Sequence, residues 1–289
     1  MKTGSAARGS KPDQTKTNLE QDFSLSPQTI IEVIDAAHLT AWLEAYEFGK
    51  RGGLMLIGPP GAMKTALIEA ALDFYPSVLK LSDLNINSMM SLRDELISGR
   101  FRTMAFPEYE KLYARRTDTA SNIEATIKQL VEDGFTRASF ESQGMITMNA
   151  KAFVVGAMTF SFYARNFDTW KKSGFARRFL WASIRLRQPE KLMDAVEQWK
   201  RIPIDGIFRK PLPLGNPIPF DVTEKESIHL RELIQQQAEV TPFVLLKKIF
   251  AVLKWKLGAE SAMRVIDKFS LCLSGEGLID FNIKESQRK

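Results

Sequence analysis

Residues 54–65, reading LMLIGPPGAMKT, limit the possible folds of this chain more than any other stretch: four apolar residues, a glycine and proline loop, then lysine and threonine opening a helical pattern. A short apolar run bounded by turn residues predicts a buried strand, and the residues after it predict a tight turn into a helix. A strand, loop and helix at this spacing predict a phosphate cradle over Gly58, Pro59, Pro60, Gly61, Ala62, Met63, Lys64, Thr65 and Ala66. In such a loop backbone N–H groups turn inward, the Lys64 ammonium reaches the β- and γ-phosphates of ATP, and the Thr65 hydroxyl ligates Mg²⁺. Met63 stands where the pattern G-x-x-x-x-G-K-[ST] has its second glycine.

The rest of the chain repeats the strand and helix alternation. Apolar runs at 54–57, 78–81, 103–106, 153–159 and 179–186 read as buried parallel strands. Residues 66–75 carry Leu67, Ile68, Ala71, Leu72 and Tyr75 at helical spacing before Pro76, and Ile30, Ile31, Ile34, Ala37, Leu43 and Tyr46 predict an earlier helix after Ser26 and Pro27. The order implies a three-layer α/β domain around a parallel five-stranded sheet over residues 26–188. Nearly fifty residues separate the third and fourth strands, enough for an insertion at about 118–151. Residues 119–133 read as its helix, and 136–140 with 145–149 as a hairpin.

Outside that domain, residues 1–25 are polar and read as a flexible tail. Residues 189–200 look helical, and five of the thirteen prolines crowd into 203–219, giving a proline-rich linker at 189–220. Residues 221–289 read as a small helical lid domain: a capping box at Thr223 and Glu226, a second start at Thr241 and Pro242, and a break at Gly258.

Composition narrows the chemistry. Two histidines, His38 and His229, and the lone Cys272 cannot supply a zinc site of ordinary ligand count, and Cys272 lies in an apolar helical stretch where it would pack. With neither an eighteen-residue apolar run nor a secretory leader, no membrane association and a cytoplasmic location are expected. The net charge of +6 favours polyanionic partners.

Further motifs follow the phosphate loop. Acids Glu108 and Glu110 follow the third strand, Thr159 ends the fourth with Ser161 close behind, and Arg177 and Arg178 precede the fifth. With the helical C-terminal segment this order resembles an AAA+ ATPase of the P-loop NTPase superfamily, over about residues 28–275 and closest to DNA-associated members of replication or mobile-element type. The resemblance implies a Walker B site in which Glu108 activates water with the metal-side aspartate replaced by Pro107, or Glu108 serves the Mg²⁺ and Glu110 the water. It implies sensor 1 at Thr159, an arginine finger at Arg178 or Arg177 that reaches the neighbouring subunit's nucleotide, and sensor 2 at Arg264. It places the hairpin, with Arg137, Phe140, Met145, Met148 and Lys151, where related motors carry a pore hairpin, and Lys111, Arg115 and Arg116 would add to that lining.

Two functions follow from the resemblance. One is an ATP-hydrolysing DNA motor, helicase or remodeller that assembles as a homo-oligomer, a hexameric ring or a filament. The other is a nucleotide-gated DNA-binding factor with weak hydrolysis, which recruits proteins of a replication or mobile-element complex.

Overall fold

The computed structural model describes residues 24–44, 51–73, 75–80, 101–114, 117–140, 144–186, 217–237, 239–276 and 278–279. Strands β1 (Ser24–Leu25), β2 (Gly53–Ile57), β3 (Val78–Lys80), β4 (Thr103–Phe106), β5 (Phe135–Phe140), β6 (Gly144–Ala150), β7 (Phe153–Met158), β8 (Phe179–Ser183), β9 (Arg185–Leu186) and β10 (Leu278–Ile279) alternate with helices α1 (Pro27–Leu39), α2 (Lys64–Leu72), α3 (Thr117–Val131), α4 (Phe160–Lys172), α5 (Glu224–Leu233), α6 (Val240–Leu257) and α7 (Ala259–Ser274). The protein is α/β, and its main sheet has five parallel strands in the order β3-β4-β7-β2-β8.

Period-two alternation along the buried strands produces the layers. Leu54 and Leu56 of β2 face one side with Phe153, Val155 and Ala157 of β7 and Leu180 and Ala182 of β8, against α1, α2, α6 and α7. Met55 and Ile57 face the other side with Val154, Met158, Phe179 and Trp181, against α3 and α4. Because both faces are covered, the strands read as continuous apolar runs, which is why four of the five are legible in the sequence almost to the residue.

Helix α1 starts at an Ser26 cap with Pro27 in its first turn, and all its residues except Gln28 are buried. A helix apolar almost all round must be enclosed. Here α2, α6 and α7 flank it, so the C-terminal helices share one hydrophobic core with the sheet. Asp35 of α1 ties this layer together, accepting from the ammonium of the buried Lys256 on α6 and from the Tyr75 hydroxyl. Helix α5 opens on the expected capping box, with the Thr223 hydroxyl and the Glu226 carboxylate each accepting from the other residue's N–H.

The free edge of β8 is capped by a side chain. The Gln237 amide accepts from the Trp181 N–H at 3.2 Å and donates to the Trp181 carbonyl at 2.7 Å, taking the place of a neighbouring strand.

Three expectations are corrected. The tail ends earlier than residue 25: Ser24 and Leu25 pair in parallel with β10, and Leu25 is fully buried. The fifth strand does not run unbroken to residue 186, because Arg185 and Leu186 leave the main sheet to pair with β10. The first helix ends at Leu39 in a short 3₁₀ turn, Thr40–Trp42, so Leu43 belongs instead to a bridge with Ile218. The remaining calls on 1–23, 189–200 and 203–216 lie outside the described residues. Among those described, no helix is long and apolar enough to cross a membrane. Cys272 is buried and its thiol is pushed up to about 12 by burial, in keeping with a packing role.

His38 sits fully buried between Trp42 and Tyr75, with Nδ1 2.8 Å from the Thr103 hydroxyl and Nε2 without a partner. Burial lowers its pKa from 6.5 to about 3, so the folded protein keeps the ring neutral where the unfolded chain protonates it. The stability it contributes is present above pH 6.5 and is lost as pH falls toward 3. Denaturant titrations of wild type and His38→Gln across that window are expected to show a shallower acid limb in the variant.

Candidate nucleotide site

The loop after β2 lies at the C-terminal edge of the sheet, where strand order reverses direction around β2. That is the crevice in which open α/β sheets bind ligands. Gly58 continues the ladder by donating to the Met158 carbonyl at 3.2 Å, and a Cβ there would stand 2.4 Å from the Ile184 carbonyl oxygen, so only glycine fits. Gly61 has φ +77°, and Met63 has φ 54°, the one positive φ of a non-glycine residue among those described. Met63 therefore takes up, under strain, the left-handed geometry that the motif's glycine would adopt freely. Helix α2 begins at the next residue, so Lys64 and Thr65 both occupy its first turn.

The Lys64 and Thr65 side chains are both held by backbone carbonyls. Lys64 Nζ donates to the Gly58 carbonyl at 3.0 Å and to the Pro59 carbonyl at 2.8 Å. Burial pulls its pKa below the ordinary lysine value, opposed by the Glu110 carboxylate nearby. Thr65 Oγ1 donates to the Pro107 carbonyl at 3.1 Å, which brings the exit of β4 over the loop.

After β4 the 3₁₀ turn Tyr109–Ala114 sets the two acids apart. Tyr109 is fully buried against Phe106, Trp170 and Phe175, and this anchor turns its neighbours in different directions. Glu108 is exposed and paired with Lys111 at 2.7 Å, while Glu110 Oε1 accepts from the Thr159 N–H at 2.5 Å. Thr159 is the N-cap of α4: its hydroxyl accepts from the Phe162 N–H at 3.3 Å and lies 3.1 Å from the Ser161 hydroxyl. The structure thus brings together the phosphate loop, Lys64, Thr65, Glu110 and Thr159, and leaves Glu108 facing out. Thr65 and one of the two acids could hold a magnesium ion whose other ligands are phosphate oxygens and water.

The arginines before β8 lie at the opposite end of the sheet, since Phe179 pairs with Gly53 and not with Ile57. Arg178 is 9% exposed, pairs with Glu132 at 2.5 Å and donates to the Gly174 carbonyl. That commitment within its own protomer does not suit a side chain expected to reach a neighbour. Arg177 beside it is exposed. Arg264 is also exposed, and its partners are Ser261 at 3.2 Å and Glu260 at 4.0 Å on its own helix. Neither partner belongs to the loop after β2.

Three participants escaped sequence reasoning. Pro107 acts through its carbonyl, Ile184 through its backbone, and Glu132 through an ion pair 46 residues away in the chain. None carries a local signal.

In comparisons with known proteins, no family model matches the chain and no curated protein is significantly similar to it.

Three substitutions test this geometry. Met63→Gly is expected to raise stability by about 1 kcal/mol in urea unfolding, since relief of left-handed strain outweighs the added chain entropy. Arg178→Ala is expected to cost about 3 kcal/mol by removing the buried guanidinium from its ion pair with the half-buried Glu132, whereas Arg177→Ala stays within about 0.5 kcal/mol of wild type.

Proposed function

We propose that the chain is an AAA+-type P-loop protein that binds ATP with Mg²⁺ at Gly58, Pro59, Pro60, Gly61, Ala62, Met63, Lys64, Thr65 and Ala66, hydrolyses it, assembles as a homo-oligomer and acts on nucleic acid, most simply DNA. The observation that carries the reading is the left-handed turn at Met63, placed after β2 so that Lys64 and Thr65 open α2 beside Glu110 and Thr159. A lysine lowered by burial and held on its own loop's carbonyls has a direct gain in exchanging them for phosphate oxygens.

The chain's own residues take defined roles. Lys64 holds the β- and γ-phosphates, the Thr65 hydroxyl leaves the Pro107 carbonyl to bind the metal shell, and Glu110 orients the attacking water. Magnesium, when bound, neutralises charge on the β and γ oxygens. Thr159 keeps α4 capped and holds Glu110 in place until nucleotide arrives. Arg177, the exposed member of the pair, serves as the finger to a neighbouring protomer. Arg264 remains a sensor candidate, since a long side chain on an exposed face is free to reorient.

One observation favours the second function, a nucleotide-gated DNA-binding recruitment factor with weak hydrolysis. Glu110 is tied to the Thr159 N–H and Glu108 to Lys111, so neither acid stands ready for water. Catalysis then waits on a rearrangement that assembly or DNA would supply.

Equilibrium titration with a fluorescent ATP analogue is expected to show at least about a tenfold loss of affinity for Lys64→Ala. Phosphate release should fall roughly a hundredfold in Glu110→Gln with analogue binding retained. Turnover stimulated strongly by single- or double-stranded DNA and lost in Arg177→Ala indicates the motor, and ATP-dependent assembly with negligible turnover indicates the gated binder. Unchanged nucleotide affinity and unchanged assembly in Lys64→Ala would overturn both.

A further inference from the structure

The edge of the sheet opposite the phosphate loop has its own chemical character. Four of the five strands of the main sheet, β4, β7, β2 and β8, are preceded by a basic residue: Arg102 before Thr103, Lys151 two residues before Phe153, Arg51 two before Gly53, and Arg177 two before Phe179. The register pairs Thr103 with Phe153, Gly53 with Val154 and Gly53 with Phe179, so these residues follow one another in the spatial order β4, β7, β2, β8. Adjacent strands lie about 4.8 Å apart, so the edge carries a basic row about three strand spacings long.

Helix α6 covers one end of that row and closes a cleft of about 520 Å³ lined by Arg51, Arg177, Lys248, Val244, Glu132 and Glu239. Glu132 is committed to Arg178, which leaves the cleft cationic on balance. Burial and the positive charges of Arg51 and Lys151 bring the Lys248 ammonium down to about 8.

A second cleft, also about 520 Å³, runs along the outer edge of β8 and shares Arg177 and Glu239 with the first. Its walls include Tyr163, Phe167, Trp181, Lys171 and Arg185. Tyr163 and Phe167 are half-buried and packed in a ring cluster with Trp181, at centroid distances of 4.7 to 6.1 Å. A cationic groove beside half-exposed aromatic rings is the arrangement that tracks a phosphate backbone while stacking unpaired bases.

We infer that single-stranded nucleic acid binds across these two clefts, its phosphates on Arg51, Lys248 and the basic row and its bases against Tyr163 and Phe167. The inference rests on the nucleic-acid reading above, and it names the form of the ligand and its place. The hairpin of β5 and β6 leaves the sheet at the same edge, directly before β7, so it stands beside the track. Duplex fits less well, because its bases are stacked internally and offer no free faces to the rings.

The test uses the full chain without nucleotide and a fluorescein-labelled oligothymidylate of about twenty nucleotides, with affinity read by anisotropy across a salt series. Wild type is expected to bind it more tightly than a duplex of equal length. Lys248→Gln should lower the slope of log affinity against log salt by about 0.7, the share of one single-strand phosphate. Tyr163→Leu should weaken binding at least about fivefold while leaving the slope unchanged. A matched oligouridylate names the preferred sugar, and binding of either strand type supports the inference. Analogue affinity at the phosphate loop serves as the folding control for both variants. Equal affinity for duplex, an unchanged slope in Lys248→Gln, or unchanged affinity in Tyr163→Leu would overturn it. Lys64→Ala separates the two readings: it should abolish nucleotide binding and leave oligothymidylate binding intact, and it can fail in the first respect without touching the second.

Discussion

Burial of β2 on both faces and pairing on both edges is the constraint from which the rest of the molecule follows. The strand hydrogen-bonds to β7 on one side and β8 on the other, and its side chains enter two separate apolar clusters. A strand so enclosed can expose only its ends. Its C-terminal end runs into the loop that carries Lys64 and Thr65, and its N-terminal end follows Arg51. The two ends cannot shift independently, because a slip of one residue would exchange Leu54 and Leu56 with Met55 and Ile57 between clusters of different shape.

The loop at the first end rests in a self-satisfied state. Lys64, Thr65 and Glu110 each hold an internal hydrogen bond, to carbonyls of the loop, to the Pro107 carbonyl and from the Thr159 N–H respectively. The three side chains are thus engaged within the protein, while no side chain caps the first turn of α2. Under the proposed function a nucleotide competes with these four hydrogen bonds. Strain at Met63 works against the resting form.

Much of this was legible in the chain because the relevant signals are local. Buried parallel strands have to be apolar throughout, so β2, β4 and β7 stand out unaided, and the insertion's helix and hairpin follow from their own periodicities. The capping box at Thr223 is a four-residue affair and needs no tertiary help. The arginine pair was beyond that kind of reading. Arg177 and Arg178 are neighbours in one 3₁₀ turn, and only the arrival of Glu132 from the end of α3 buries one and leaves the other in solvent. Likewise Glu108 and Glu110 differ because Tyr109 between them is drawn into an aromatic core assembled from distant segments.

The sequence alone determined the α/β alternation, the position of the glycine and proline loop after β2 and the helix starts, since each depends on residues within one or two turns of one another. Only the tertiary structure decided which acid faces the loop, which arginine is free, and that four basic residues scattered over 127 positions between Arg51 and Arg177 form one edge. The reason is that strand order and long-range ion pairs are set by how the whole core packs, and no local stretch of chain contains that information.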